Sequence, residues 1–202
     1  MKEQIEEKIE ALGGVVPVGS EFTPLADEEL AAVEAECGAP LPLDYREFLQ
    51  RYGASGFAKL VEFVLLQPDP VHPVESLLGV PIPRYEIAPF SHFYGARSAG
   101  INGLLGTIAA YRGRIPDTLI PIGDDGGGHQ ICLGIKGMEQ GKVYYWDHEN
   151  EWDEEDYLED YGVPMPPEVK FQNVYLAAYS FADFFQRLHN VTGKTSAGRR
   201  AE

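Results

Sequence analysis

The chain has 202 residues, a net charge of −16 and only two cysteines. This length fits one domain with an extra arm, large enough to bury about 70% of the surface of the unfolded chain. The negative charge excludes nucleic acid as a partner, because phosphates would be repelled, and favours a basic protein partner. Cys37 and Cys132 lie in apolar patterns without C-x-x-C spacing, which indicates buried thiols in a reducing compartment.

The sequence also bears on localisation. The amino-terminal run MKEQIEEKIEALGG is rich in charge and has no apolar core segment, so it does not resemble a secretory signal. No apolar run approaches the roughly 18 to 20 residues of a membrane span. We therefore expect a cytoplasmic protein that does not act at a membrane.

The first quarter of the chain predicts three helices. Apolar residues at helical spacing predict an amphipathic helix over 2–12, closed by a glycine pair. A second helix is predicted over 27–37, with acidic residues at its positive amino end. A third begins at Pro42 and Asp44 and ends at Gly53, with aromatic and leucine side chains on one face.

The middle of the chain predicts a strand, a loop and a helix. Residues 57–66 are rich in β-forming side chains and predict a strand. Six prolines within 67–100 argue against a long regular element, so we predict an ordered loop that is partly extended around 90–94. Asn102 is predicted to cap a helix that ends before Gly113.

The run over 114–149 predicts the core of a sheet. Alternating apolar residues from Ile131 and an aromatic, β-branched run over 143–146 predict a hairpin that closes within 137–141. A structural turn is predicted ahead of this hairpin, at Gly123, Asp124, Asp125, Gly126, Gly127 and Gly128. The turn and the end of the second strand lie at the same end of the hairpin. We therefore expect acidic residues and histidines to meet there.

The last part of the chain predicts one more strand and one more helix. The last predicted strand covers 174–178, and Ser180 with Asp183 resembles a capping box that opens a helix with phenylalanines inward. The tail over 191–202 is predicted to be disordered. Because the clearest strand pair is a hairpin, we predict an α+β fold: an antiparallel or mixed β-sheet with helices packed on one face, an amino-terminal helix pair and a carboxy-terminal helix.

Five residues at the end of the hairpin are candidates for chemistry: Asp124, Asp125, His129, Asp147 and His148. Carboxylates beside imidazoles suit general acid–base or metal chemistry, and a metal-assisted hydrolase is one hypothesis. Their spacing matches no standard metal signature, however. In the plainer interpretation the aspartates cap backbone amides of the turn and the histidines are solvated strand ends. We adopt that interpretation and assign no catalytic residue, no metal and no cofactor.

Three other kinds of site lack support. The glycines over 126–128 are not followed by Lys-Ser/Thr, and the flanking aspartates would repel a phosphate. The acidic run over 147–160 has Trp152 where the loop of a calcium-binding EF-hand needs glycine. No Gly-x-Ser-x-Gly motif occurs, and neither cysteine has a histidine nearby in the sequence.

The segment over 143–169 is a candidate binding surface, because it carries ten acidic residues and no Lys or Arg. Charge alone indicates a solvated face that keeps the protein soluble. Large aromatic residues among the carboxylates favour instead a patch for a basic protein, in which charges steer and aromatics anchor. The predicted contact residues are Trp146, Asp147, Glu149, Glu151, Trp152, Asp153, Glu154, Glu155, Asp156 and Tyr157.

Five motifs occur in order over 24–188: EELAAVEAECGAPLPLDYREFLQRYG, HFYG, YRGRIPDTLIPIGDDGGGHQICL, GKVYYWDHE and SFADFFQRL. Together they resemble the SUKH superfamily, in particular the branch of the Smi/Knr-type fungal cell-wall-assembly regulators and bacterial toxin-immunity proteins. The resemblance predicts an amino-terminal helix and linker over 1–22, a SUKH domain over 23–190 and a tail over 191–202.

This resemblance implies an α+β fold and a binding role without catalysis. Bacterial members look like immunity proteins that neutralise toxins delivered between competing cells, and fungal members are regulatory interaction proteins. We therefore predict a non-enzymatic immunity protein that blocks a basic toxin domain through its acidic segment. An intracellular regulatory or scaffold protein is the alternative. The identity of the partner and the oligomeric state stay open.

Overall fold

We describe the fold from a computed structural model, which covers residues 2–71, 83–95 and 103–191. Its α-helices are α1 (Lys2–Ala11), α2 (Asp27–Cys37), α3 (Leu43–Arg51), α4 (Leu104–Ala110), α5 (Glu154–Tyr161) and α6 (Phe181–Arg187). Its strands are β1 (Val15–Pro17), β2 (Ser55–Val64), β3 (Ile87–Phe93), β4 (Leu119–Asp124), β5 (Gln130–Gly134), β6 (Val143–Trp146), β7 (Val174–Ala178) and β8 (Leu188–Asn190). Three short 3₁₀ helices cover Gly137–Glu139, His148–Asn150 and Pro167–Phe171.

The strands form one antiparallel sheet in the order β1-β2-β3-β4-β5-β6-β7, and β8 pairs with β2 on the side of β1. Each named pairing along this path is antiparallel, and β4, β5 and β6 are joined by the short connections that such pairing allows. The α+β prediction is therefore confirmed. None of the described helices is long and apolar enough to cross a membrane.

The two faces of the sheet bury two separate cores, because side chains alternate between faces along each strand. The larger core lies under the helices and contains buried residues of α1, α2, α3, α4 and α6 together with Tyr145 and Tyr175. The smaller core lies on the other face around Trp146 and Tyr144, and the segments near Leu66 and Tyr111 cover it. Helices α1 to α4 and α6 thus pack on one face, as predicted.

Aromatic rings fill the larger core. Phe48 of α3 lies 4.8 Å from Phe93 and 5.4 Å from Phe181 between ring centroids, in edge-on geometry. Phe185 stacks on Phe93 at 5.6 Å. Contacts of this kind join α3 and α6 to the middle of the sheet. Both cysteines are buried free thiols, which confirms the prediction for them.

β3 corrects the prediction of a loop over 67–100, because Ile87–Phe93 is a strand between β2 and β4. A proline is tolerated there because its nitrogen faces away from β2. The Leu65 amide donates to the Glu86 carbonyl, and hydrogen-bonded pairs alternate along an antiparallel ladder. Pro89 therefore directs its nitrogen to the side on which the described chain supplies no pairing residue.

Other predicted boundaries change less. β7 is not the last strand, because the chain leaves α6 directly into β8 and pairs with β2. Gly103, and not Asn102, precedes α4 at its cap position. Asn102 lies outside the described residues, as do 72–82 and 96–101 of the predicted loop and 192–202 of the predicted tail.

The amino-terminal helix packs on its own chain. Ile5, Ile9 and Leu12 are buried in the larger core. The Lys8 ammonium donates to the Gln186 carbonyl at 3.2 Å, and the Gln186 side-chain amide donates to the Gln4 carbonyl at 3.1 Å. These contacts join α1 to α6. The division of the chain at residue 22 stays a prediction.

Replacing Ile9 with alanine should lower the free energy of unfolding by about 2–4 kcal/mol, because it leaves a cavity under α1. Urea denaturation of the two proteins measures this difference. Glu10→Ala serves as the control, because Glu10 is exposed on the same helix and should change stability by less than about 0.5 kcal/mol. Equal stability of Ile9→Ala and the native chain would contradict the docking of α1.

Candidate functional site: a histidine and aspartate cluster beside an acidic helix

The turn between β4 and β5 is held by its own aspartates. Asp124 Oδ1 accepts a hydrogen bond from the Gly126 amide at 3.1 Å, and Asp125 Oδ1 accepts one from the Gly127 amide at 2.7 Å. Gly126 and Gly128 have φ of 82° and 103°, a region that glycine adopts without steric cost. The aspartates thus cap backbone amides of the turn, as the sequence indicates.

This turn and the end of β6 bring two histidines and two aspartates together, and we call Asp125, His129, Asp147 and His148 the histidine–aspartate cluster. His129 Nδ1 lies 3.1 Å from Asp147 Oδ1 and 3.3 Å from His148 Nδ1. On the other side of the His129 ring, Nε2 lies 3.9 Å from Asp125 Oδ2. Four of the five candidate residues therefore meet, while Asp124 makes other contacts.

Asp147 is the centre of the cluster, and its side chain has 0% solvent exposure. Its Oδ2 accepts hydrogen bonds from the Tyr85 hydroxyl at 2.8 Å and from the Asn150 side-chain amide at 2.6 Å. Its Oδ1 accepts a hydrogen bond from the Glu149 amide at 3.0 Å. Both carboxylate oxygens are thus satisfied by the protein, which a buried charge requires.

The environment favours opposite charges on Asp147 and His129. Burial raises the pKa of the Asp147 carboxyl, but hydrogen bonds with His129, Tyr85 and Asn150 outweigh burial and leave that pKa below its usual range. Burial lowers the pKa of the His129 imidazole, but contacts with Asp147 and Asp125 leave it above its ordinary value. The interpretation of His129 as a solvated strand end is wrong, since its side chain is only 14% exposed.

Two members of this network were not predicted from the sequence. Tyr85 comes from the proline-rich stretch, where no periodic pattern indicates a contact with the end of β6. Asn150 lies three residues after Asp147, a spacing at which polar side chains often bond locally, and this spacing was the available signal. Tyr145, from the strand itself, donates its hydroxyl to Asp125 Oδ2 at 3.1 Å.

Asp124 belongs to a separate polar group between β3 and β5. Its Oδ1 lies 3.2 Å from His92 Nδ1, and its Oδ2 lies 3.3 Å from the Tyr94 hydroxyl. The same hydroxyl donates to Gln130 Oε1 at 2.7 Å. Gly123 allows this approach, because a Cβ at Gly123 would lie 2.5 Å from the His92 carbonyl oxygen. Asp124 thus makes its contacts outside the histidine–aspartate cluster.

The acidic segment that follows β6 needs one correction. Trp146 and Asp147 are fully buried, so they cannot contact a partner. Trp146 faces the smaller core because of strand alternation, and it packs edge-on against Tyr111 at 5.5 Å between ring centroids. The Asp147 side chain points into the histidine–aspartate cluster. The other predicted contact residues are exposed or partly exposed, namely Glu149, Glu151, Trp152, Asp153, Glu154, Glu155, Asp156 and Tyr157.

Helix α5 carries most of this exposed charge. Asp153 caps it, accepting hydrogen bonds from the Glu155 amide at 2.7 Å and the Asp156 amide at 3.4 Å, and Gly162 ends it with φ of 69°. No residue of the helix is buried. The helix is thus held by its caps and by neighbouring side chains rather than by a core.

Three aromatic residues pack on one another at this helix. Tyr157 and Tyr161 stack at 4.5 Å between ring centroids. Trp152 meets them edge-on at 5.8 Å and 6.2 Å. Leu158, which is 49% exposed, and Val163, which is 51% exposed, add apolar surface nearby. Two of the predicted contact aromatics, Trp152 and Tyr157, therefore cluster with Tyr161 among carboxylates, while Trp146 lies in the smaller core.

Two ion pairs tie the acidic segment to the body of the protein. Arg114 makes a bidentate pair with Glu151 at 2.7 Å and 2.9 Å, and Lys170 pairs with Glu154 at 2.7 Å. Among the residues that the structure describes, four further carboxylates of α5 form no ion pair: Glu155, Asp156, Glu159 and Asp160.

The Asp124 carboxylate should contribute stability that disappears in acid. Burial raises its pKa, but hydrogen bonds with His92, the Gly126 amide and Ser91 outweigh burial, so its pKa in the fold lies below the unfolded value. Such a group stabilises the fold above its unfolded pKa, about 4, and that contribution is lost as pH falls through the lower folded pKa. Asp124→Asn should therefore cost about 1–2 kcal/mol at pH 5 and less at pH 3.

Urea denaturation of both proteins at each pH measures the difference. Asp117→Asn is the matched control, because Asp117 is exposed and its replacement should change stability by less than about 0.5 kcal/mol. A cost of Asp124→Asn that stays constant from pH 5 to pH 3 would contradict the role of this carboxylate.

Comparison with known proteins agrees with this architecture. Residues 24–187 match the SMI1 / KNR4 family (SUKH-1). A curated relative, the SPbeta prophage-derived uncharacterized protein YokK of Bacillus subtilis (strain 168), is 30% identical over 135 residues, which make up 65% of this chain and 67% of the relative. The family match includes α2 to α6 and β2 to β7, and therefore both sides of the candidate site. The chain belongs to the SMI1 / KNR4 family (SUKH-1).

Proposed function

We propose that this protein is a non-enzymatic immunity protein, which binds a basic toxin domain in the cytoplasm and blocks it. Its contact surface is the acidic face, which we define as the exposed parts of residues 149–161. The observation that carries this proposal is α5, a capped helix with no buried residue in which five of eight residues are carboxylates. A helix that adds nothing to either core is free to serve a partner.

The charge of the acidic face suits a basic partner. The net charge of −16 gives the whole protein a negative field, and the unpaired carboxylates of α5 concentrate it. A toxin that acts on nucleic acid needs a basic surface to hold phosphates, so an acidic blocker would meet it with fast, salt-sensitive association. Steering of this kind suits immunity, because a toxin must be captured before it acts.

Aromatic anchors add affinity to this steering. Trp152, Tyr157 and Tyr161 already pack together, so little side-chain entropy is lost when a partner covers them. Large aromatic side chains in the centre of an interface often carry most of the binding energy. The exposed Leu158 extends this apolar centre. The acidic face thus combines a charged rim with an apolar middle, as protein interfaces do.

The family supports a binding role. Bacterial members of the SUKH superfamily resemble immunity proteins, and the relative from Bacillus subtilis is described as prophage-derived, which fits a gene that travels with competition systems. A regulatory or scaffold role, as in fungal members, is the competing function. The two differ in the partner, because only the immunity role requires a toxin domain encoded beside this gene.

The experiment uses the toxin domain encoded next to this gene. Co-expression with this protein should restore growth of cells that produce the toxin, and the purified pair should bind in calorimetry and stopped-flow experiments. Reversal of four exposed charges of α5, with lysine at Glu155, Asp156, Glu159 and Asp160, should slow association about 10- to 1,000-fold at low salt. Asp153 is left intact, because it caps the helix.

A matched variant controls for total charge. It carries lysine at Glu7, Glu10, Glu21 and Glu28, which are exposed on other parts of the surface. This control should associate with the toxin nearly as fast as the native chain does. Equal association rates of the native chain and the α5 variant would refute the acidic face as the contact surface. Absence of a neighbouring toxin gene, with normal growth of a deletion strain beside competitors, would favour the regulatory role.

A further inference from the structure

His129, Asp147 and His148 form a ligand set, in addition to the protein-binding surface proposed above. Each residue offers one donor atom, and the three donor atoms lie within 4.8 Å of one another. Two imidazole nitrogens and one carboxylate oxygen are a usual combination for zinc(II) and similar divalent ions. The pairing of β5 with β6 brings His129 and Asp147 together, and both are among the five candidates that the sequence placed at this end of the hairpin.

The spacing of the donors fits a tetrahedral ion. At metal–ligand distances of about 2.0–2.1 Å, two donors of a tetrahedral site lie about 3.3 Å apart. His129 Nδ1 lies 3.1 Å from Asp147 Oδ1 and 3.3 Å from His148 Nδ1. Two of the three donor–donor distances thus have the required length. The third donor–donor distance, between Asp147 and His148, belongs to a set whose members all lie within 4.8 Å of one another, and the His148 ring is only partly buried.

The surroundings hold the ligands as the outer shell of a metal site does. Asp147 is fixed by Tyr85, Asn150 and the Glu149 amide, so its carboxylate orientation is set before any ion binds. The far nitrogen of His129 lies 3.9 Å from the Asp125 carboxylate, which is beyond hydrogen-bond distance, so Asp125 acts on this ring through its charge.

Access to the cluster lies over the glycine turn. A Cβ on Gly128 would lie 3.1 Å from His148 Cε1, so a residue with a side chain would press on the ring. Gly126 to Gly128 are exposed, and His148 beside them is only partly buried. An ion that enters past His148 takes its fourth ligand from water, while the fully buried Asp147 lies on the inner side.

We propose that His129, Asp147 and His148 bind one zinc(II) ion, which joins the end of β5 to the start of the acidic segment. In the metal-free chain His129 Nδ1 lies 3.1 Å from the Asp147 carboxylate and accepts a hydrogen bond from the His148 amide at 3.3 Å. Zinc takes the lone pair of that nitrogen in place of this amide. Zinc binding at this cluster does not depend on a toxin partner.

Zinc titration of the full chain, without any histidine tag, tests this proposal. Calorimetry and competition with a chromophoric chelator should show one ion per chain, and zinc should raise the thermal midpoint, because the ion binds the folded state. Cobalt(II) should give the visible absorption of a tetrahedral site. His129→Gln and His148→Gln should each weaken zinc binding at least about 10- to 100-fold.

His189→Gln is the control, because His189 pairs with one carboxylate, Glu62, at 3.1 Å and has no second imidazole within the described site. It should bind zinc like the native chain. Circular dichroism shows whether each variant is folded, and His148→Gln, at a partly exposed residue, is the variant expected to keep its fold. No zinc uptake by the folded native chain refutes the proposal, and so does uptake that survives His148→Gln but is lost in the α5 charge-reversal variant.

Discussion

The functional end of this protein depends on one buried charge, the Asp147 carboxylate. A carboxylate without solvent exposure is costly unless the protein replaces the lost water. Here the replacement donors come from separate parts of the chain: Tyr85 before β3, His129 at the start of β5, and Glu149 with Asn150 after β6. Each of these donors is fixed by its contact with the carboxylate. One buried charge therefore connects the turn, two strand ends and the beginning of the acidic segment.

The same residue sets where the sheet ends and the acidic segment begins. The Asp147 amide donates to the Asn173 carbonyl at 2.9 Å, and the Asn173 side chain donates to the Asp147 carbonyl at 2.7 Å. Beyond this point the Gln172 side chain holds the Asn150 carbonyl at 3.3 Å, and Lys170 holds Glu154. The start of the acidic face is therefore anchored to the residues just before β7, although α5 itself buries no residue.

The sequence predicted a helix or strand correctly where the contacts that determine it are local in the chain. The helix over Asp27–Cys37 was predicted to the residue, because apolar spacing and acidic first-turn residues lie within it and Gly38 follows directly as its cap. β7 was predicted for the same reason, as a short apolar run between turns. β3 was missed, because proline argues against a strand and only the one-sided pairing with β2 makes Pro89 acceptable.

The errors at the site have the same origin. Trp146 looked like a contact residue, but strand alternation puts it on a face that is covered by Leu66 and Tyr111, both remote in sequence. Tyr85 reaches Asp147 across 62 positions, and no pattern in the sequence reports such a pair. The turn glycines and the meeting of His129 with Asp147 were within reach, because a hairpin brings its two ends together in any sequence that forms it.

Only a few residues separate the histidine–aspartate cluster from the acidic face. A zinc ion bound in the cluster would therefore have two opposite effects on binding of the partner. Its charge would weaken steering, but a divalent cation offsets only a small part of the net charge of −16, so this effect is minor. Its geometry would hold His148, the first residue of the 3₁₀ turn that leads to Trp152 and α5. Binding a partner costs conformational entropy when segments of the interface become ordered. Fixing the start of the acidic face before binding therefore lowers this entropy cost. The effect of the ion on conformational order should therefore outweigh its effect on electrostatic steering. The ion would act by holding the acidic face in place for its partner.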